Sequence, residues 1–130
     1  MVRTLDPHCT IKSRDTYLTI IKRHYSQLKL DIKNMLRPVK YFALTSDFWS
    51  SIVKDAYMTV TLHWVNNDFQ LEHVVLGTPK VPEKHDAGNI TARIRELLHE
   101  FDLTPDNICG LVTDNAGNMC NSAVELDALT

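Results

Sequence analysis

Two short stretches hold the residues best suited to chemistry: Leu44-Thr45-Ser46-Asp47-Phe48-Trp49-Ser50-Ser51 and Leu111-Val112-Thr113-Asp114-Asn115-Ala116-Gly117-Asn118. In each, an aspartate follows a small hydroxylated residue and stands where an apolar run with strand character is expected to stop. Two carboxylates at the ends of neighbouring strands repel one another, and a divalent cation relieves that repulsion. Magnesium takes oxygen ligands and commonly needs only one or two protein carboxylates, substrate phosphates filling other positions. In two-metal sites the ions lie about 3.5–4 Å apart and stabilise the attacking and leaving oxygens of a displacement. The pair therefore points towards phosphate-ester chemistry. The same residue types also fit a plainer arrangement, with Asp47 closing a turn and Asp114 capping a helix. Spacing alone leaves both open. Asn115 and Asn118 are ordinary cap and turn residues, and His85 is either a loop histidine near a helix start or a neighbour of the same sheet edge.

The elements that must position these residues follow from periodicity. Leu18, Ile21, Tyr25, Leu28, Ile32 and Met35 are spaced three and four apart, which draws one stripe along a helix from about Asp15 to Leu36. Ser13 or Asp15 can cap its start and Pro38 marks its end. The stripe is expected to pack on a sheet, a dimerising coiled coil being the alternative. Residues 40–49 read as a strand whose contiguous Tyr41-Phe42-Ala43-Leu44 fits burial on both faces. Residues 56–66 alternate and are rich in β-formers, Asn66-Asn67-Asp68 signals a hairpin, and Phe69 to Leu76 makes the return strand. A helix from about Ala87 or Asn89 to Phe101, a short strand from Ile108 to Thr113 and a helix through Met119 to Leu126 complete the order α-β-β-β-α-β-α. A strand that arrives by a helical crossover beside the first strand lies parallel to it. Asp47 and Asp114 would then emerge at the same sheet edge, where ligands of parallel sheets gather.

Composition narrows the class. The 130 residues are 44% hydrophobic and 23% charged, ordinary for one globular domain or a piece of one. A net charge of −2 argues against a free-standing polybasic nucleic-acid binder. Basic residues concentrate between Lys12 and Lys40, as a solvated helix face or as contacts to backbone phosphates. Cys9, Cys109 and Cys120 form no CxxC pair, which fits a reducing compartment. His24, His63, His73 and His99 do not combine with them at zinc-finger spacings, so no zinc site is expected. No apolar run approaches the roughly 18–20 residues of a membrane span. Trp49 and Trp64 are expected in the core.

The first stretch, with the following Tyr57-Met58-Thr59-Val60-Thr61-Leu62-His63-Trp64, resembles the first catalytic motif of hAT-superfamily transposases (hobo, Activator, Tam3). There a "T-x-D-x-W-[ST]" segment runs into a "hydrophobic-V-T-x-H" strand. His85-Asp86-Ala87-Gly88-Asn89-Ile90 is similar to the family's His-[ST]-[GA]-x-x-Ile stretch. Val112-Thr113-Asp114-Asn115-Ala116-Gly117-Asn118 resembles its "T-D-N-A-x-N" motif, and Ser13-Arg14 with the helix after it matches the family's lead-in. The resemblance covers about residues 10–125. It implies an RNase H-like α/β fold with a mixed sheet, here truncated. The expected division is 1–38, a lead-in and amphipathic helix, and 39–130, a partial catalytic domain.

By resemblance, Asp47 and Asp114 are the first two members of an Asp-Asp-Glu triad that binds Mg²⁺ or Mn²⁺. A two-metal site is expected only in the full-length protein. There it would drive cleavage and strand transfer of transposon-end DNA in the nucleus, water or a DNA 3′-hydroxyl being the nucleophile. The family's glutamate lies far downstream, and Glu100 and Glu125 are misplaced to substitute. A BED zinc finger and the C-terminal dimerisation region are absent from these residues, so the segment alone is expected to be inactive and any homo-oligomer to form through regions outside it. Two alternatives stand beside this reading. One is a domesticated, non-catalytic BED-finger-type nuclear regulator that uses the fold as a scaffold. The other is an unrelated α/β binding domain.

Overall fold

A computed structural model of the chain describes residues 12–52, 55–81 and 87–113. The chain divides into two compact units, Met1–Asp31 and Ile32–Thr130. The first unit contains most of helix α1 (Arg14–Leu36). Ser13 caps it as expected: its Oγ accepts the backbone N–H of Thr16 at 3.2 Å, which satisfies one of the donors a helix start leaves open. Gln27 Nε2 donates to Asp31 Oδ1 at 2.9 Å, one turn along.

Along the apolar stripe of α1, burial differs between the two units. Ile32 and Leu36, in the second unit, join the hydrophobic core. Leu18, Ile21, Tyr25, Leu28 and Met35 are exposed. The 3-4 spacing was enough to make a helix with an apolar face, but nothing in that spacing says what covers the face.

The second unit is built on a four-stranded mixed sheet of order β3-β2-β1-β4, formed by β1 (Phe42–Ser50), β2 (Ala56–Val65), β3 (Leu71–Gly77) and β4 (Ile108–Val112). β1, β2 and β3 form the expected antiparallel meander, with Leu44 opposite Leu62 and His63 opposite His73. The β2–β3 hairpin is held by Asn66, whose Oδ1 accepts the backbone N–H of both Asp68 and Gln70 at 2.9 Å. Such local bonding is why asparagine favours turns. Phe69 takes a left-handed φ of 60° at this turn. Helix α2 (Ala87–Glu100) lies between β3 and β4 in the chain, and β4 then runs parallel to β1 from Phe42↔Ile108 to Thr45↔Val112. A mixed sheet with two helices in this order is consistent with an RNase-like fold. The expected last helix lies outside the described residues.

The core joins one face of the sheet to α2. Phe42 and Leu44 of β1, Met58, Val60 and Leu62 of β2 and Leu111 of β4 are buried together with Ile90, Ile94, Leu97 and Leu98 of α2. Burial along β1 alternates through Ser46: Phe42, Leu44 and Ser46 are buried, Ala43 and Thr45 only partly so. The expectation of two buried faces fails here, because Tyr41 precedes the strand and is exposed and Ala43 is too small to demand cover. At the end of β3 a Cβ on Gly77 would lie 2.9 Å from Leu97 Cδ2, so glycine permits this close approach of helix and strand.

Candidate functional site

Side chains alternate across a strand, so Ala43, Thr45, Asp47 and Trp49 share the face of β1 opposite the core. Their partners on β2 are His63, Thr61, Thr59 and Tyr57 in turn. Asp47 is exposed and stands inside β1, three residues before Ser50. Here the expectation is corrected: the strand does not stop at the aspartate, because the antiparallel ladder with β2 carries it on to Ser50↔Ala56. What does stop short of Asp47 is the described parallel pairing with β4, whose last partners are Thr45 and Val112. Asp47 is two residues beyond Thr45, and Asp114 is two residues beyond Val112 in sequence. Asp114 and His85 lie outside the described residues.

Around Asp47 the open face is hydroxylated and aromatic. Thr45 Oγ1 and His63 Nε2 are 3.1 Å apart. The His63 and His73 rings stack with centroids 5.9 Å apart. On the other side Trp49 Nε1 donates to Thr59 Oγ1 at 3.1 Å, and Thr59 Oγ1 lies 3.3 Å from Thr78 Oγ1. Trp49 also stacks on Tyr57 at 4.7 Å and 18°. Trp64 packs against the core as expected, whereas Trp49 is 45% exposed. Phe48 and Trp49 are adjacent, so a strand must send them to opposite faces; Phe48 took the core side. The Thr59–Thr78 and Trp49–Tyr57 contacts were not anticipated. The signal for them was the Tyr-x-Thr-x-Thr-x-His alternation from Tyr57 to His63.

The oxygen donors at this point, a carboxylate flanked by threonine hydroxyls, suit a hard divalent cation such as Mg²⁺ or Mn²⁺. Among the described residues no three His, Cys, Asp or Glu side chains come together to hold a metal ion. Asp47 therefore stands apart from any such cluster among the described residues. No described side chain or backbone donor occupies its carboxylate. A cavity of about 580 Å³ opens at the opposite end of β1, lined by Tyr41, Ala43, His63, Trp64 and Leu71 among others, and does not reach Asp47.

The linker after β3 is fastened beside this region. Met58 and Val81 donate backbone N–H groups to Pro79 and Ala56 carbonyls at 3.1 and 2.9 Å. Lys80 Nζ lies 2.7 Å from Asp55 Oδ1. The contact raises the Lys80 pKa, chiefly through the hydrogen bond to Asp55.

A mixed sheet in which the first strand of a meander bears an exposed aspartate and pairs in parallel with β4 is consistent with an RNase-like domain. The family described as the ZBED1 RNase-like domain matches residues 45–129, and the chain belongs to it. The relationship to hAT-family transposases rests on the same match and on two maize relatives, a putative AC transposase and a putative AC9 transposase of Zea mays. Each is 29% identical over 116 residues. Both alignments cover 88% of this chain, which spans 14% of each relative's length.

Proposed function

We propose that this chain is a segment of the catalytic core of a hAT-type DNA transposase. In the full-length nuclear protein, Asp47 and Asp114 would be two of the carboxylates that hold Mg²⁺ or Mn²⁺ for cleavage and strand transfer of transposon-end DNA. The observation that carries this reading is the parallel β1–β4 register, whose last described partners are Thr45 and Val112, with Asp47 and Asp114 each two residues further on in sequence. Bound there, divalent cations supply Lewis-acid stabilisation of attacking and leaving phosphate oxygens. The role of this chain's own residues is to offer hard oxygen ligands from a rigid sheet. The Thr45–His63 and Trp49–Thr59 bonds restrain the side chains on either side of Asp47. Two carboxylates without a third bind metal weakly, so the 130-residue chain alone is inactive in strand transfer.

The test is a thermal melt in millimolar Mn²⁺. A ligand bound only to the folded state raises Tm. The wild-type chain should shift upward, and Asp47→Asn and Asp114→Asn should each lose most of the shift. An unchanged wild-type melt, or equal shifts in all three proteins, overturns the metal site and favours a non-catalytic scaffold of the domesticated type.

A further inference from the structure

Leu18, Ile21, Tyr25 and Leu28 stand in one row on α1 and are 41%, 61%, 62% and 58% exposed. A contiguous apolar row of this kind marks an interaction surface. Such a face also matters to the helix itself, since most helical stability in proteins comes from packing of an amphipathic face rather than from propensity. We infer that the row pairs with the same row of a second copy of this chain, the two helices running antiparallel.

Side-chain size and charge select that occupant and that direction. Leu18 and Tyr25 occupy one kind of seam position, and Ile21 and Leu28 the other, as in a two-stranded coil. Asp15, Lys22 and Lys29 flank one edge of the seam, and Tyr17, His24 and Asp31 flank the other. A parallel pair would stack Tyr25 on the partner's Tyr25 and set His24 against the partner's Lys29. An antiparallel pair instead layers Leu18 with the partner's Leu28 and Ile21 with the partner's Tyr25. It brings Asp15 to the partner's Lys29 and the Tyr17 hydroxyl to the partner's Asp31 carboxylate. Each of these contacts is made twice by symmetry. At the centre Lys22 meets the partner's Lys22 and His24 the partner's His24, which keeps the association weak. The seam from Leu18 to Leu28 is roughly 15 Å long at 1.5 Å per residue, smaller than a standard interface, so dissociation no tighter than the micromolar range is expected.

Sedimentation velocity of the 130-residue chain tests this between low and several hundred micromolar. The apparent mass should rise from 14.9 kDa towards twice that value with concentration. The double variant Ile21→Asp/Tyr25→Asp should stay monomeric with the thermal transition of the sheet domain retained. Asp15→Lys and Lys29→Asp should each weaken the dimer by roughly 3–10-fold, the scale of exposed charge pairs counted twice. The combined Asp15→Lys/Lys29→Asp protein should recover wild-type affinity. The charge swaps keep every apolar residue, so they decide the question even if the aspartate variant unfolds. A chain that stays monomeric throughout, or a dimer untouched by the stripe variant, assigns the row to another occupant and overturns the inference. Charge variants that weaken the dimer without recovery in the combination overturn the antiparallel register.

Discussion

The β1–β2 ladder has two faces made by the same two strands, and they follow different rules. On one, Leu44, Met58, Val60 and Leu62 are fully enclosed against α2. On the other, Thr45, Asp47, Trp49, Thr59 and His63 make side-chain hydrogen bonds or stand in solvent. The closed face is fixed by volume, since cores lose stability when even a methylene is removed or added. The open face is fixed by pairwise polar contacts, each contributing far less to stability. A residue there can be kept for chemistry at little structural cost, and that is where Asp47 stands.

This contrast is broken most directly at Leu62. Leu62→Ala leaves a cavity at a fully buried position, and a loss of about 2–5 kcal/mol is expected in urea denaturation. A loss below 1 kcal/mol would mean that the enclosed face is not close-packed. Gly77→Val tests the same face at its margin. The added side chain must displace Leu97, so a loss of about 1–3 kcal/mol is expected, with Gly77→Ala milder because only the flexible end of Leu97 has to move.

Much of this arrangement was legible in the residues. The alternation from Tyr57 to Val65 announced a one-sided strand, the Asn66 turn announced its return, and the helical crossover announced a parallel β4. The spacing of Ile90, Ile94, Leu97 and Leu98 foretold the side of α2 that meets the sheet. The failures share a cause: local pattern shows that a face exists and not what lies against it. The α1 row from Leu18 to Leu28 looked identical to a packed one, since exposure depends on what a helix meets elsewhere in the fold. Trp49 belongs to an apolar pair that must straddle the sheet, and its bond to Thr59 is made across strands ten residues apart. Asp47 looked like a strand end because its sequence neighbours become polar, while the strand was prolonged by pairing with β2.

Two smaller effects separate the faces further. Thr91 is buried in α2 and Ser46 in β1, and neither hydroxyl has a hydrogen-bond partner. Replacing a buried unsatisfied hydroxyl by an apolar group of similar shape removes a desolvation penalty. Thr91→Val should therefore raise stability by about 1 kcal/mol, seen as a higher urea midpoint with an unchanged slope. On the open face, Asp47→Asn should change stability in metal-free buffer by no more than about 0.5 kcal/mol, as for surface substitutions lacking a special contact. A large loss would place Asp47 among the structural residues and remove the contrast between the faces.

The finest distinction concerns the Lys80–Asp55 pair beside the open face, where the Lys80 side chain is 49% exposed and that of Asp55 36%. Its hydrogen bond with Asp55 lifts the Lys80 pKa above the ordinary 10.5, with charge attraction adding to the rise and partial desolvation opposing it. A raised lysine pKa means that the folded state holds the proton more tightly than the unfolded chain. The stabilisation is therefore complete below 10.5 and disappears as pH rises through the folded value. Wild type should exceed Lys80→Met slightly at neutral pH and low salt, and the two urea midpoints should converge in strongly alkaline buffer. Added salt should narrow the gap at neutral pH as well, because exposed pairs are screened. A gap that ignores both pH and salt would assign the contribution of Lys80 to the packing of its methylene stem beside Tyr57, whose backbone it bridges.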